Sequence, residues 1–174
     1  MKFIKLISIL TILSSTSIIG FAYGNIFGKR AKNLIDLEYC IRLLESEILI
    51  GNTPLPEALD NIYKKGKGEV SNLFKEIRED LITRKREDIY ISFQLQKDSL
   101  KDKYLFKPQD IEVILFLGRI LGKTNRIDQE KNFKFILKQI EDLSIEASEE
   151  KETYEKLYRS LGILMGMGII IIFI

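Results

Sequence analysis

The sequence contains no histidine, no tryptophan, a single cysteine and only three prolines in 174 residues. Without histidine, imidazole acid–base chemistry and imidazole metal ligation are excluded. One cysteine, Cys40, excludes an intrachain disulfide and a thiolate metal site, and it has no histidine to activate it. A lone thiol fits a reducing compartment better than an oxidising one. Charge of one sign is also missing. Lys and Arg total 27 and Asp and Glu 25, and residues 29–159 carry 25 of each. The net +2 comes from Lys2 and Lys5, and a balanced middle without a basic block argues against nucleic acid as a partner.

What is present at both ends is apolar sequence. Leu6 to Gly28 is 23 positions without a charge, long enough for a tilted membrane span. Its flanks are Lys2 and Lys5 before, and Lys29, Arg30 and Lys32 after. The rival is a cleaved signal peptide with a core at Leu6–Leu13 and a small-residue site at Ala22-Tyr23-Gly24. The apolar run continues through Ile18-Ile19-Gly20-Phe21, and the bases follow it directly, which favours a retained span. From Leu161 to Ile174 there are 14 apolar residues, about 21 Å at ~1.5 Å per residue. Its rival is a core helix. Lys151, Lys156 and Arg159 precede this second segment, so the positive-inside rule places the middle in the cytoplasm. The expected organisation is an N-terminal transmembrane anchor over 1–28, a cytoplasmic helical bundle over 29–159 and a hydrophobic tail over 160–174. Gly20, Gly24 and Gly28, and Gly162 and Gly166, recur every four residues. They are expected to line faces where membrane helices pack.

The middle reads as helix throughout. Leu34, Leu37, Ile41, Leu44 and Ile48 form a 3-4-3-4 stripe, stopped at Gly51. Asn52-Thr53-Pro54 supplies a cap and a first-turn proline. A short helix with Leu55, Leu59 and Ile62 inward ends at Gly66-Lys67-Gly68. A third covers about 69–83, with Val70, Leu73, Phe74, Ile77 and Leu81 inward. Arg84-Lys85-Arg86 is a solvated basic turn. A fourth covers about 87–101 with a poorly phased set, Ile89, Ile91, Phe93 and Leu95. Lys107-Pro108-Gln109-Asp110 opens a fifth, through Ile111, Ile114 and Leu117 to Gly122. Asp128 is expected to cap a long last helix, in which Phe133, Ile136, Ile140, Leu143, Ala147, Tyr154, Leu157 and Leu161 follow a seven-residue pattern broken at Glu150. That helix would run on into the apolar tail. The fold class is all-α: an antiparallel bundle of about six helices, flanked by N- and C-terminal transmembrane helices.

Few residues invite chemistry. Gly122-Lys123-Thr124 suggests a P-loop, but Leu117 stands where that motif needs glycine, and the stretch ends a helix rather than opening one. The carboxylate pairs Glu45/Glu47, Glu79/Asp80 and Glu149/Glu150 read as solvated faces. No catalytic residue, cofactor, metal, nucleic acid or small-molecule substrate is expected.

Two stretches carry more turn chemistry than packing needs. One is E-x-E-I-x-x-G-x-T-P-L-x-E-A-L at Glu45–Leu59. The other is L-G-x-x-L-G-x-T-N-x-x-x-Q-x-K at Leu117–Lys131. With the N-terminal span leading into a basic helix, and the Y-x-K-x-x-R-S-L-G junction at Tyr154–Gly162, these motifs resemble the stage III sporulation protein AB family over the whole chain. That family is similar to one cytoplasmic helical domain of the platform protein of type II secretion and type IV pilus machines. The resemblance implies a non-enzymatic platform subunit of the channel complex between mother cell and forespore, in the mother-cell membrane around the forespore. It implies as partners the complex's cytoplasmic ATPase, other membrane subunits and membrane lipid, and it is compatible with a homo-oligomer. The signature positions are Glu45, Glu47, Thr53, Pro54, Glu57, Gly118, Gly122, Asn125, Gln129 and Lys131, carried as family signature and as a partner interface. The alternatives are a membrane-tethered helical sensor or adaptor, and a membrane-bound enzyme.

Overall fold

A computed structural model describes residues 2–83, 88–121 and 126–173. Arg84, Lys85 and Arg86, and Gly122, Lys123, Thr124 and Asn125, lie outside the described residues. Among the described residues there are seven α-helices, one π-helical turn and no strand. They are α1 Lys2–Glu45, the π-turn Ser46–Ile50, α2 Leu55–Lys65, α3 Ser71–Thr83, α4 Ile89–Leu95, α5 Lys97–Asp102, α6 Pro108–Ile120 and α7 Arg126–Phe173. The chain divides into two compact units, one of residues 1–31 with 146–174 and one of residues 32–145.

The unit of residues 32–145 is built on the apolar stripes. Leu34, Leu37, Ile41 and Leu44 of α1 are fully buried, as are Leu59 and Ile62 of α2 and Leu73, Phe74 and Ile77 of α3. α6 adds Ile114 and Leu117, and α7 adds Phe133, Ile136 and Ile140. Burying each such side chain stabilises the fold by about 1.5–3 kcal/mol before entropy is set against it. α2 packs on α3, and α4 packs on α6. The second contact runs through Gly118: a β-carbon there would fall 2.8 Å from Phe93 Cγ, so only glycine lets the two helices approach this closely. Two buried polar side chains, Asn33 and Ser92, are hydrogen-bonded within this unit. Asn33 Nδ2 donates to the Tyr104 carbonyl at 2.9 Å, and Ser92 Oγ donates to Asp80 Oδ2 at 2.7 Å.

Several local expectations are corrected. The fourth helix is two, α4 and α5, joined at Gln96. Ile89 and Phe93 lie four apart on one buried face, whereas Ile91 and Leu95 are 40% and 55% exposed on the other. One amphipathic helix cannot bury all four. Pro54 is the residue before α2 rather than inside it, with Pro56 in the first turn. Asp128 does not cap α7, which starts two residues earlier at Arg126. Asp128 sits in the first turn, where a carboxylate still complements the helix dipole.

In the unit of residues 1–31 and 146–174, the ends of α1 and α7 run side by side. A β-carbon on Gly20 would fall 2.6 Å from the Tyr158 carbonyl oxygen and 3.0 Å from Gly162 Cα. One on Gly162 would fall 2.8 Å from the Thr16 carbonyl oxygen, and one on Gly166 would fall 2.4 Å from Thr16 Oγ1. The two backbones therefore touch at Gly20 and Gly162. Gly24 faces Glu155, and Gly28 meets only the Lys151 side chain at ordinary contact distance. The outer faces are apolar and open: Leu10, Ile18, Leu164 and Ile171 are 57–81% exposed. Among the described residues one helix, near the N-terminus, is long and apolar enough to cross a membrane, and 11% of its apolar window is buried.

The seven-residue pattern on α7 changes character along its length. Phe133, Ile136, Ile140 and Ala147 are buried, but Tyr154, Leu157 and Leu161 are 40–46% exposed. Glu150, the break in the pattern, accepts from Arg30 Nη1 at 2.7 Å. Glu146 lies 3.6 Å from Arg30 Nη2. The Arg30 side chain is only 4% exposed, so a carboxylate is what this inward position needs.

Candidate functional site

The site is the turn between α1 and α2, with the start of α7 beside it. α1 does not end on an ordinary α-turn. Residues 46–50 form a π-helical turn, closed by Gly51 N–H donating to the Ser46 carbonyl at 3.0 Å. The wider turn adds one residue per hydrogen-bonded ring and rotates the side chains off the apolar stripe. No residue of the turn is buried. Ile50 is 79% exposed.

One carboxylate fixes this geometry. Glu47 Oε2 accepts from Thr53 Oγ1 at 2.9 Å and from Asn61 Nδ2 at 3.1 Å, and Glu47 Oε1 accepts from Lys65 Nζ at 3.4 Å. The Glu47 carbonyl also accepts from Thr53 N–H at 2.9 Å. The hydroxyl bond from Thr53, followed by those from Asn61 and Lys65, holds the Glu47 carboxyl below the usual carboxylate range. Asn52, at φ 47°, bends the chain back in the left-handed region that asparagine tolerates. Pro54, with ψ 139°, directs it into α2.

Beside the turn lies a groove of about 420 Å³, lined by Arg42, Glu45, Ser46, Leu49, Ile50, Glu130 and Lys134. Lys134 donates to Glu130 at 2.7 Å, and this bond raises the lysine pKa above its ordinary value. Arg42 pairs with Glu38 at 2.7 Å. The groove thus has an aliphatic side, Leu49 and Ile50, and a rim of both charge signs. It contains no nucleophile–base pair, and its form is that of a docking surface.

Of the signature residues, the structure brings Glu47 and Thr53 into direct contact. Glu45 joins the groove, and Glu130, within the second motif, lines it from α7. Glu57 and Pro54 are exposed on the α2 start. Gln129 and Lys131 flank Glu130 on the first turns of α7, with Lys131 exposed. Gly118 is elsewhere, in the α4–α6 contact. Gly122 and Asn125 lie outside the described residues. Asn61 and Lys65 were not legible as site residues. Their i,i+4 spacing on the flank of α2 is the available signal, and it gains meaning only once the turn brings Glu47 across.

Known proteins resemble this chain in sequence and in helical fold. The family described as stage III sporulation protein AB matches residues 5–174. Stage III sporulation protein AB of Bacillus subtilis (strain 168) is 28% identical over 169 residues, covering 97% of this chain and 98% of that relative. A solved structure of a stage III sporulation protein AB superposes with a TM-score of 0.64 at 26% identity, covering 72% of this chain and 98% of that one. With both the sequence match and the helical fold on the same family, this chain belongs to the stage III sporulation protein AB family.

Proposed function

We propose that the chain is a membrane-anchored platform subunit of the sporulation channel complex between mother cell and forespore, and that it docks the complex's cytoplasmic ATPase. In this reading residues 1–28 are an anchor, residues 29–159 a cytoplasmic bundle and residues 160–174 a transmembrane or hydrophobic tail. Lys29, Arg30 and Lys32 after the first segment, and Lys151, Lys156 and Arg159 before the second, put the bundle on the cytoplasmic side. The helix-packing role of Gly20, Gly24, Gly28, Gly162 and Gly166 belongs to this reading. It is supported by the backbone contact at Gly20 and Gly162.

The observation that carries the docking reading is the π-turn groove. Glu45 of the first motif lines it with Glu130, which lies between the signature residues Gln129 and Lys131, the adjoining turn is held by a four-residue polar network, and Ile50 stands outward at 79% exposure. An exposed aliphatic anchor with a charged rim is how a protein partner is held. The role is structural rather than catalytic, and other membrane subunits and lipid complete the surroundings. Deletion of the gene in its sporulating host tests this. Heat-resistant spores are expected to be lost after engulfment, with vegetative growth unchanged. Normal spore counts would refute the reading.

A further inference from the structure

The charge-free run of the sequence, Leu6–Gly28, overstates the part of α1 that lipid covers. The reason lies on α7. Opposite Gly24 stands Glu155, whose carbonyl oxygen would be 3.3 Å from a β-carbon at that glycine. Opposite Gly28 stands Lys151, with its Cε at 3.7 Å. Sinking α1 to Gly28 would take Glu155 and Lys151 into hydrocarbon, where a charged side chain is strongly disfavoured. The helix with charges sets the depth for the helix without them.

At this level the two helices share a cluster of rings. Tyr23 stacks on Tyr158 with centroids 6.0 Å apart, and Phe27 stacks on Tyr158 at 5.8 Å and on Tyr154 at 5.1 Å. Tyr23 is 56% exposed and Tyr154 40% exposed, so the cluster is a surface feature rather than a core. The Arg159 guanidinium lies over the Phe21 ring at 5.0 Å and also pairs with Glu155. Toward the chain ends from this cluster, Ile18, Ile19, Leu161, Leu164 and Met165 are exposed, together with the uncharged hydroxyls of Thr11, Ser14, Ser15 and Ser160. Away from them are Arg30, Glu150 and Lys151. Tyrosines with one apolar face and one hydroxyl, beside an arginine that can reach outward, are the side chains that settle at a bilayer surface.

We infer that Tyr23 and Tyr158 form a collar that marks the bilayer–water boundary, and that the turn from Gly24 to Gly28 stands outside the hydrocarbon. The partner of this surface is the interfacial layer of the membrane. The inference rests on the reading of the chain as membrane-anchored.

The chain has no tryptophan, so single tryptophans report depth without background. The full chain would be reconstituted in vesicles of phosphatidylcholine and phosphatidylglycerol carrying brominated acyl chains. Four variants are compared: Tyr23→Trp, Tyr158→Trp, Leu164→Trp and Glu152→Trp. The two collar variants are expected to show blue-shifted emission, quenched more by bromines near the head of the acyl chain than near its end. Leu164→Trp is expected to show the reverse order, and Glu152→Trp no quenching. Quenching of Glu152→Trp, or deep quenching of either collar variant, would overturn the placement while leaving the anchor intact. Failure of the unmodified chain to float with vesicles would overturn both the anchor and the collar.

Discussion

Gly68 is the position where one methyl group should do most damage. It closes the α2–α3 turn at φ +62°, and a β-carbon there would fall 2.1 Å from Asp36 Oδ2. In Gly68→Ala the left-handed backbone alone costs about 1–2 kcal/mol. Asp36 is 8% exposed and has little room to swing away. Its displacement breaks the ion pair with Lys32, worth about 0.3–0.5 kcal/mol at an exposed lysine. A forced rotamer adds about 0.5–1.5 kcal/mol. Together these give a loss of about 2–4 kcal/mol, roughly 10 °C in Tm for a helical unit of this size. The assay is urea and thermal unfolding of the full chain in detergent, followed by far-UV circular dichroism. Combining Gly68→Ala with Asp36→Ala removes the collision and leaves the backbone cost. The second substitution should therefore be less damaging in the alanine background than in the parent. A single Gly68→Ala within about 0.5 kcal/mol of the parent, the ordinary scatter of surface changes, would refute the reasoning.

Two other consequences follow from titratable groups. Glu47 has a depressed folded pKa, so its stabilisation is present above the ordinary carboxylate pKa and is lost as pH falls through the folded value. Glu47→Gln should lower stability at pH 7 and flatten the acid limb of a stability–pH curve, and an unchanged acid limb would count against the network. Cys40 is fully buried, and burial pushes its thiol up to about 11. Maleimide labelling at neutral pH should be slow in the folded chain and fast in denaturant. Rapid labelling of the native chain would contradict the packing around Gly66, whose added β-carbon would lie 2.9 Å from Cys40 Sγ.

The parts of this fold that were legible in the sequence are those with one dominant local signal. The stripe Leu34–Leu37–Ile41–Leu44 is buried, because a 3.6-residue period admits a single inward face, but its last member, Ile48, lies in the π-turn and is not buried. The break between α4 and α5 was not legible. Four aliphatic or aromatic residues at two-residue spacing fit neither helix face, and tertiary packing decided which pair went inward. The π-turn was equally hidden. Gly51 marks a stop in either geometry, and the extra residue is selected by Glu47 reaching Thr53, Asn61 and Lys65, the last 18 positions away. Glu150 looked like a fault in a repeat until Arg30, 120 positions distant, supplied its reason. Local periodicity is written in neighbouring residues, whereas polar networks are written in pairs that only the fold brings together.

In the proposed role, the π-turn groove holds the ATPase at the membrane. The direct measurement is the distribution of that ATPase between membrane and soluble fractions of sporulating cells carrying either the parent chain or Ile50→Asp. A charge at an anchor of this kind typically costs 2 kcal/mol or more, about 30-fold in affinity. The account predicts that the ATPase leaves the membrane fraction while the variant chain remains in it. An ATPase that stays membrane-bound with Ile50→Asp would contradict it.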